Sequence, residues 1–214
     1  MAYQYYLFDF DGTLVDSMPS WINKMMGILK ASGVAYPDNV IEIITPLGDV
    51  GSAEYFIKEL GVPLTVPEMI AEMDKVALPA YRDEIPLKAG VYDALYRLHA
   101  EGKRLFVLTA SPHRMLDPCL KRTGVYDLFD GVWSSEDFGL TKGDVAIYAK
   151  AAKAMGTTVD KVLFFDDNIK AVTTAKAAGM HTVGVYDPSA AGFTAQMKQV
   201  CDFYLEDFVG FSGF

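Results

Sequence analysis

The chain has few cysteines and no long apolar segment. Its only cysteines are Cys119 and Cys201, so it has no regularly spaced disulfide framework, and we expect two reduced thiols. No apolar run approaches the roughly 20 residues that a membrane-spanning helix needs. Asp9 and Asp11 interrupt the N-terminal apolar segment, so we expect no secretory signal. These features predict a cytoplasmic protein without a membrane span.

The chain also has fewer basic residues than acidic ones. The chain has 19 lysines and arginines against 28 aspartates and glutamates, which gives a formal net charge of −9. A surface this acidic is a poor electrostatic match for nucleic acid or for an anionic membrane, and the aromatic residues are too scattered to form a base-stacking platform. A bound cation and one lysine can still reverse the potential locally. We therefore expect a small-molecule partner, with no nucleic acid and no membrane.

Two carboxylates follow a short apolar segment near the N-terminus. Residues 5–8 are typical of a buried parallel strand, and Asp9 and Asp11 come just after them. Both side chains are expected to share a face at the carboxyl end of this strand, where open α/β sheets bind ligands. Such close carboxylates repel each other unless they share a cation, and hard divalent cations favour oxygen ligands. The pair predicts a Mg²⁺ site with a carboxylate nucleophile. The plainer alternative is an aspartate that only caps a turn.

Strand-like and helix-like segments alternate from residue 85 to the C-terminus. Several of the helical segments end at a glycine and are followed by a β-branched or aromatic strand. This alternation predicts an α/β fold with a Rossmann-like, doubly wound parallel sheet. The predicted strands cover residues 104–109, 129–133, 161–165 and 181–185, with a possible edge strand at 203–205.

Residues 17–85 break this alternation. They contain four segments with helical spacing, and Thr65 and Glu68 form the pattern of a capping box. We therefore predict a catalytic core of residues 1–16 and 86–214, with an inserted all-helical domain over residues 17–85.

Further candidate site residues lie at the ends of two other predicted strands. Thr109 ends one strand, and Ser111-Pro112 predicts a helix start with Ser111 at the cap. The Thr109 hydroxyl and the amides of Ala110 and Ser111 would then form an anion site. An ordinary capping threonine is the alternative.

The second of these strands ends in Asp166 and Asp167. Adjacent carboxylates at a strand end also predict a shared cation. A capped turn that starts the next helix is the alternative.

Four segments together resemble the motifs of the haloacid-dehalogenase-like hydrolases. Residues 9–17, with the sequence DFDGTLVDS, are similar to the first motif; residues 105–111 resemble the second, residues 141–144 the third and residues 162–168 the fourth. The helical insert after the first motif resembles the cap of one subclass, and the first motif is most similar to the phosphoglycolate phosphatase branch. The resemblance implies a phosphatase that acts on a small phosphorylated metabolite with Mg²⁺.

The resemblance also implies roles for the first-motif residues. Asp9 would be the nucleophile that forms an aspartyl-phosphate and would also bind the metal. Asp11 would act as general acid and base and would contact the metal through its backbone carbonyl. Gly12 would let the backbone approach the phosphate closely. Dehalogenases and phosphonatases of the superfamily typically lack the second aspartate of the first motif. Its presence here, as Asp11, therefore favours phosphate esters as substrates.

The third and fourth motifs supply the remaining predicted roles. Lys142 would balance the charges of the nucleophile and the phosphoryl group, although a solvated surface lysine is the alternative. Many relatives have Lys-Pro-x-Pro where this chain has KGDV at 142–145, so a loop stiffened by prolines is not expected here. Asp167 would be the principal Mg²⁺ ligand, with Asp166 a second ligand, either direct or through water.

One segment of the insert is a candidate for substrate contact. Residues 46–51 predict a turn between two cap helices, and in the family the corresponding loop faces the substrate. Gly48 and Asp49 are therefore predicted to bind substrate, and a plain connector is the alternative.

Two other functions stay open on the sequence. A sugar phosphomutase of the same fold would keep both first-motif aspartates, but the histidine that usually follows the first motif in such enzymes is absent from residues 18–22. A non-catalytic binding protein could also keep the fold.

Overall fold

The computed structural model of the protein describes residues 3–44 and 47–214. The chain divides into two compact units. The core unit is formed by the chain up to Asp16 together with Ile85–Phe214, and the cap unit is formed by Ser17–Glu84. No helix within the described ranges is both long enough and apolar enough to cross a membrane.

Six strands in the described part of the core unit form one parallel sheet. In chain order they are β1 (Tyr5–Phe8), β2 (Arg104–Thr109), β3 (Gly131–Ser134), β4 (Val162–Asp166), β5 (His181–Val185) and β6 (Phe203–Leu205). Their spatial order is β3-β2-β1-β4-β5-β6, and every neighbouring pair is parallel. The predicted α/β fold with a parallel sheet is confirmed, including the edge strand β6.

The two central strands are apolar because both of their faces are covered. Leu7 and Phe8 of β1 and Phe165 of β4 are fully buried, and the rings of Phe8 and Phe165 stack with centroids 4.6 Å apart. The chain runs from β1 to one side of the sheet and returns to β4 on the other, so the strand order reverses at β1. A crevice at the carboxyl ends of the strands is expected at this reversal point. The residues that follow β1 and β4 therefore lie side by side.

The cap unit is helical over much of its described length. Its helices are α1 (Met18–Ser32), α2 (Val40–Ile44), α3 (Gly48–Lys58) and α4 (Val66–Asp83). The capping box predicted at the start of α4 is present: the Glu68 amide donates to Thr65 Oγ1, and the Thr65 amide donates to Glu68 Oε2. The apolar faces of the helices pack into a small core that includes Met25, Leu29, Phe56, Met69 and Met73.

The prediction of a turn over residues 46–51 is wrong for the part that is described. Gly48 and Asp49 form the first turn of α3, and Pro46 lies outside the described residues. A carboxylate in the first turn is favourable because the helix dipole is positive there. Asp49 also accepts hydrogen bonds from the Trp21 indole (2.9 Å) and the Lys24 ammonium (3.2 Å). These contacts give the segment a structural role inside the cap unit.

Five further α-helices in the described part of the core unit flank the sheet. They are α5 (Val91–Ala100), α6 (His113–Arg122), α7 (Val145–Ala154), α8 (Ile169–Ala177) and α9 (Thr194–Val200). Helices α7 and α8 bury Ile147, Tyr148 and Ala171 against Leu7 and Phe164 of the central strands. This packing fixes the loops that lead into both helices, and those loops carry site residues.

The segments that lead into and out of the cap unit pair with each other inside the core unit. Val15 and Leu87 form an antiparallel bridge, and the Lys88 amide donates to the Leu14 carbonyl over 2.9 Å. The chain therefore leaves and re-enters the core unit at adjacent points.

Candidate active site

Three buried carboxylates lie together where the two central strands end. Asp9 follows β1, Asp166 is the last residue of β4 and Asp167 comes next, with residue exposures of 4%, 0% and 8%. One oxygen from each carboxylate lies within 4.8 Å of the other two. The backbone contributes to this arrangement, because the Asp9 amide donates to the Phe165 carbonyl over 2.8 Å. The strand ends thus bring together the three aspartates predicted as metal ligands through their side chains.

The electrostatics of this cluster are unfavourable without a compensating charge. Burial raises the pKa of Asp9 against the attraction of Lys142, and together with the charge of Asp166 it brings this pKa to about 7. Burial also raises the pKa of Asp167 well above its usual value, and the charges of Asp166 and Asp9 add to this effect. Both carboxylates are therefore easier to protonate than in water. A nearby cation would lower both pKa values, because it favours the ionised carboxylates.

The Lys142 ammonium supplies one such charge. It donates to Asp166 Oδ2 over 2.8 Å and lies 2.6 Å from Asp9 Oδ1. Burial alone would lower the pKa of Lys142, but the charges of Asp166 and Asp9 outweigh burial and raise this pKa. The lysine is therefore charged and placed between two of the three carboxylates, rather than solvated on the surface.

One oxygen of the proposed nucleophile relies on Lys142 for charge compensation. Asp9 Oδ1 is buried, and the Lys142 ammonium lies 2.6 Å from it without the alignment of a regular hydrogen bond. The same ammonium also serves Asp166, so the three buried carboxylates share one lysine. This excess of buried oxygen ligands fits a hard divalent cation.

Asp166 is more fully engaged than its neighbours. Its Oδ1 accepts from the Asn168 amide over 2.7 Å, while its Oδ2 accepts from Lys142. Asn168 in turn caps α8, with Oδ1 accepting from the amides of Lys170 and Ala171. Both Asp166 oxygens therefore have partners, which favours an orienting role.

The loop that carries Lys142 is held by hydrogen bonds rather than by prolines. The Asp144 carboxylate accepts from the Thr141 amide and hydroxyl, both at 2.9 Å. The Tyr148 hydroxyl, from the first turn of α7, lies 2.9 Å from the Lys142 carbonyl and 3.0 Å from the Ala171 carbonyl, and its single proton is shared between these two acceptors. Sequence reasoning missed Tyr148 because a tyrosine at an apolar helix position is indistinguishable from a core residue.

Asp11 has a different environment from the three clustered aspartates. Its carboxylate accepts a hydrogen bond from the Ser111 hydroxyl. It is not part of the cluster of three buried carboxylates found in the described chain. This separation suits a group that exchanges protons, because its side chain is not committed to the other carboxylates.

Gly12 and Thr13 shape the surroundings of Asp167. Gly12 has φ of +73°, and a Cβ at this position would lie 2.5 Å from Asp167 Oδ2, so only glycine fits. Thr13 Oγ1 lies 3.1 Å from both Asp167 Oδ1, to which it donates, and the Asp167 amide, from which it accepts. Thr13 is part of the first motif, but its contact with Asp167 cannot be read from the sequence, because the two residues are 154 positions apart.

The predicted helix cap at Ser111 is wrong by one residue. Helix α6 begins at His113, and the extended Pro112 is its cap, with a carbonyl that accepts from the Met115 amide over 2.9 Å. The Ser111 amide instead donates to Thr109 Oγ1 over 3.1 Å. Thr109 and Ala110 thus remain at the end of β2, while Ser111 is engaged with Thr109 and Asp11.

Comparison with known proteins identifies the family. Residues 6–185 match the sequence model of the haloacid dehalogenase-like hydrolases. The chain belongs to this family. The match confirms the resemblance drawn from the four motifs, and it covers strands β1–β5 with the helices between them.

Two named phosphatases are similar to this chain over most of their length. Hexitol phosphatase B of Escherichia coli is 24% identical over 190 residues, which cover 86% of this chain and 84% of the relative. A phosphoglycolate phosphatase of Cereibacter sphaeroides is 29% identical over 190 residues, which cover 81% of both chains.

Solved structures of the family share the fold. A mutant of CbbY from Rhodobacter sphaeroides, in complex with xylulose-(1,5)bisphosphate, aligns with a TM-score of 0.82 over 96% of this chain and 95% of its own. Its sequence identity is 18%, so this likeness shows the fold alone.

Proposed function

We propose that the protein is a Mg²⁺-dependent phosphatase that hydrolyses a phosphate monoester of a small metabolite through an aspartyl-phosphate on Asp9. The observation that carries this proposal is the Asp9 carboxylate, which is buried beside Asp166 and Asp167 with its Oδ1 2.6 Å from the Lys142 ammonium. A carboxylate has two oxygens, so Asp9 can offer one to the cation and the other to phosphorus. The similarity to named phosphatases supports the reaction class.

The proposed reaction has two steps that share one proton carrier. In the first, an Asp9 oxygen bonds to phosphorus, the bond from phosphorus to the ester oxygen breaks, and Asp11 gives its proton to the departing alkoxide. In the second, water attacks the aspartyl-phosphate, Asp11 takes the proton from this water, and the bond between Asp9 and phosphorus breaks. Inorganic phosphate leaves, and the Ser111 hydroxyl holds the Asp11 carboxylate in place.

The three-carboxylate cluster is the proposed Mg²⁺ site. Asp9 and Asp167 would bind the ion through carboxylate oxygens and Asp11 through its backbone carbonyl, while Asp166 would orient the site or bind through water. When bound, the ion would offset the negative charge of the carboxylates and of the phosphoryl oxygens. Burial of Asp9, Asp166 and Asp167 supports this assignment, because three buried carboxylates with one lysine carry an excess of negative charge.

The proposed phosphate-binding groups come from three loops of the core unit. Lys142 would supply positive charge, and the Thr109 hydroxyl and the Ala110 amide lie at the end of β2. Gly12 would approach the phosphate through its backbone, and the Ser111 amide would bind phosphate in place of its present acceptor, Thr109 Oγ1.

We propose that the cap unit chooses the leaving group, with Gly48 and Asp49 among the contacting residues. The names of the relatives suggest phosphoglycolate and hexitol phosphates as the first substrates to test. We further propose a cytoplasmic setting, which is supported by the free thiols of Cys119 and Cys201.

Phosphate release tests the proposal. The purified protein is incubated with nitrophenyl phosphate and with a panel of phosphorylated metabolites in Mg²⁺, in Ca²⁺ and in excess chelator. We expect turnover in Mg²⁺, little in Ca²⁺ because of its longer and looser coordination, and none in chelator or in Asp9→Asn. Full activity in chelator contradicts the metal assignment. Conversion of a sugar phosphate to its isomer, without phosphate release, identifies the phosphomutase instead.

A further inference from the structure

Lys88 lies in the segment that re-enters the core unit, and its ammonium joins three parts of the core. It lies 2.6 Å from the Gly12 carbonyl, 2.6 Å from the Tyr186 carbonyl and 3.0 Å from Asp187 Oδ2, and it donates to all three. A lysine has three N–H donors, so all three are used. The side chain is only 15% exposed, and that of Asp187 is 1% exposed. The ammonium is therefore a fixed part of the interior.

The Gly12 carbonyl is the functionally important partner of Lys88. Gly12 follows Asp11 directly, and its backbone packs so closely on Asp167 that no Cβ could fit between them. Its own amide donates to the Val15 carbonyl over 3.0 Å. A displacement of this peptide would therefore move the backbone next to Asp11 and change the space around Asp167.

The partners on the other side of Lys88 make it a rigid anchor. Tyr186 and Asp187 follow β5, and Asp187 Oδ1 is held by the Ser189 amide (2.9 Å) and hydroxyl (2.6 Å). The carboxylate cannot turn away from Lys88 without losing these bonds. The ammonium thus connects the first-motif loop after β1 to the segment after β5, which lies two strands away in the sheet.

We infer that Lys88 is a positioning residue, which fixes the Gly12 backbone and through it the geometry of Asp11 and Asp167. The phosphatase proposed above is the reaction that it would serve. No motif of the sequence marks Lys88, because the bonds go to backbone carbonyls, which any residue type provides.

Lys103 provides a matched control. Its ammonium also donates to a backbone carbonyl of the core unit, that of Tyr3 at 2.9 Å, but Tyr3 precedes β1, so the bond lies at the opposite end of that strand from the site. Replacement of Lys103 by methionine removes a similar bond without touching the first-motif loop.

The test compares Lys88→Met, Lys88→Arg, the double variant Lys88→Met/Asp187→Asn and Lys103→Met with the wild type. Two quantities are measured: the Kd of Mg²⁺ alone by calorimetry, and kcat and KM with nitrophenyl phosphate. We expect Lys88→Met to weaken Mg²⁺ binding or lower kcat by about 10- to 100-fold, with a smaller change in KM, which is the range for loss of a group outside the ligand set that helps to orient a metal site. Lys88→Arg should recover most of the loss, and Lys103→Met should match the wild type.

The double variant separates positioning from charge balance. It removes the unpaired Asp187 charge but does not restore the bond to Gly12, so we expect it to stay as impaired as Lys88→Met. Full recovery in the double variant overturns the inference, and so does wild-type behaviour of Lys88→Met in both measurements. If Lys88→Met does not fold, the double variant, which leaves no unpaired carboxylate at Asp187, is judged alone: wild-type Mg²⁺ affinity and kcat in the double variant overturn the inference.

The two measurements also separate this inference from the proposed function. If the wild type releases no phosphate, the proposed function fails, and the Mg²⁺ affinities alone decide the role of Lys88. If the wild type is active and Lys88→Met equals it in both measurements, only the inference fails.

Discussion

The Tyr148 hydroxyl donates to the backbone carbonyl of Lys142 across a distance of 2.9 Å, and so ties α7 to the loop that carries the site lysine. The same hydroxyl also reaches the Ala171 carbonyl at the start of α8. The Tyr148 side chain therefore contacts both the loop that carries Lys142 and helix α8, which follows Asp166 and Asp167.

Replacement of Tyr148 by phenylalanine should loosen the Lys142 loop. We expect a stability loss of about 1 kcal/mol for the lost hydrogen bond. We also expect kcat to fall by about tenfold, because charges aimed at the transition state lose their effect when they are misplaced. Thermal unfolding and steady-state kinetics measure the two effects. Tyr92→Phe is the control, since Tyr92 is 49% exposed on α5, and an equal loss of kcat in the control would contradict the role of Tyr148.

Substitutions of the two first-motif aspartates should impair different steps of the reaction. Asp9→Asn should give no phosphoenzyme by intact-protein mass. Asp11→Asn should slow turnover by about 10²–10⁴-fold, the usual contribution of a general acid or base. The Asp11→Asn loss should be smaller with nitrophenyl phosphate than with an alkyl phosphate, because nitrophenolate needs little protonation as it leaves. Equal losses on both substrates would remove the general-acid role of Asp11.

Mg²⁺ binding should release protons at mildly acidic pH. Without metal, the pKa of Asp9 is raised to about 7 by burial, so Asp9 carries a proton in much of the protein at about pH 6. A cation binds the ionised form, so its affinity should rise with pH and level off above the pKa. Calorimetry in two buffers of different ionisation enthalpy counts the protons. Binding at about pH 6 without proton release would be the contrary result.

The metal-free protein should lose stability as Asp9 ionises. The pKa of Asp9 is raised from 3.8 to about 7 on folding, so the folded state favours the protonated carboxyl. The contribution of Asp9 to stability is therefore highest below about pH 4, decreases as the pH rises and reaches its lowest value above about pH 7. Asp9→Asn lacks this titration, so its Tm advantage over the wild type in chelator should grow across the same interval. A Tm difference independent of pH would rule out the raised pKa.

The cap prediction at Asp49 needs a gentler substitution than alanine. Asp49 pairs with the Lys24 ammonium, whose side chain is only 3% exposed, and accepts from the Trp21 indole. Asp49→Ala would leave a buried ammonium unpaired, and we expect it to cost about 1–3 kcal/mol of stability. Asp49→Asn keeps an acceptor for Trp21 and should be milder. If Asp49 contacts the substrate, Asp49→Asn will reorder kcat/KM across a metabolite panel and leave Mg²⁺ dependence unchanged; an unchanged order will assign the residue to cap stability alone.

The sequence was most informative where a chemically active side chain comes at the end of a segment with a clear strand or helix pattern. Asp9, Asp166 and Asp167 each follow an apolar strand, and parallel strands carry their carboxyl ends to one edge, so their proximity could be predicted before the structure. The capping box at Thr65 could be predicted for a similar reason, because its two side chains are adjacent in sequence and need no tertiary partner.

Side chains that act through backbone carbonyls could not be predicted. Lys88 and Tyr148 donate to carbonyls 76 and 6 residues away. Every residue type has a backbone carbonyl, so the sequence does not indicate which residue is the acceptor. The Ser111 prediction failed for a different reason: Ser-Pro fits a helix start in two registers, and the Thr109 hydroxyl, a tertiary neighbour at the end of β2, selects the register in which Ser111 is not the cap.

The antiparallel bridge between Val15 and Leu87 makes the entry and exit of the cap unit equivalent to the two arms of a hairpin. Arms in this geometry can be joined by a loop of about two to five residues, so the 68-residue insert Ser17–Glu84 occupies the place of a simple turn. The insert can therefore be treated as a replaceable segment of the gene. Its coding segment can be exchanged for that of another family member at two adjacent junctions, and a chimaera made this way inherits its chemistry from one parent and its cap from the other.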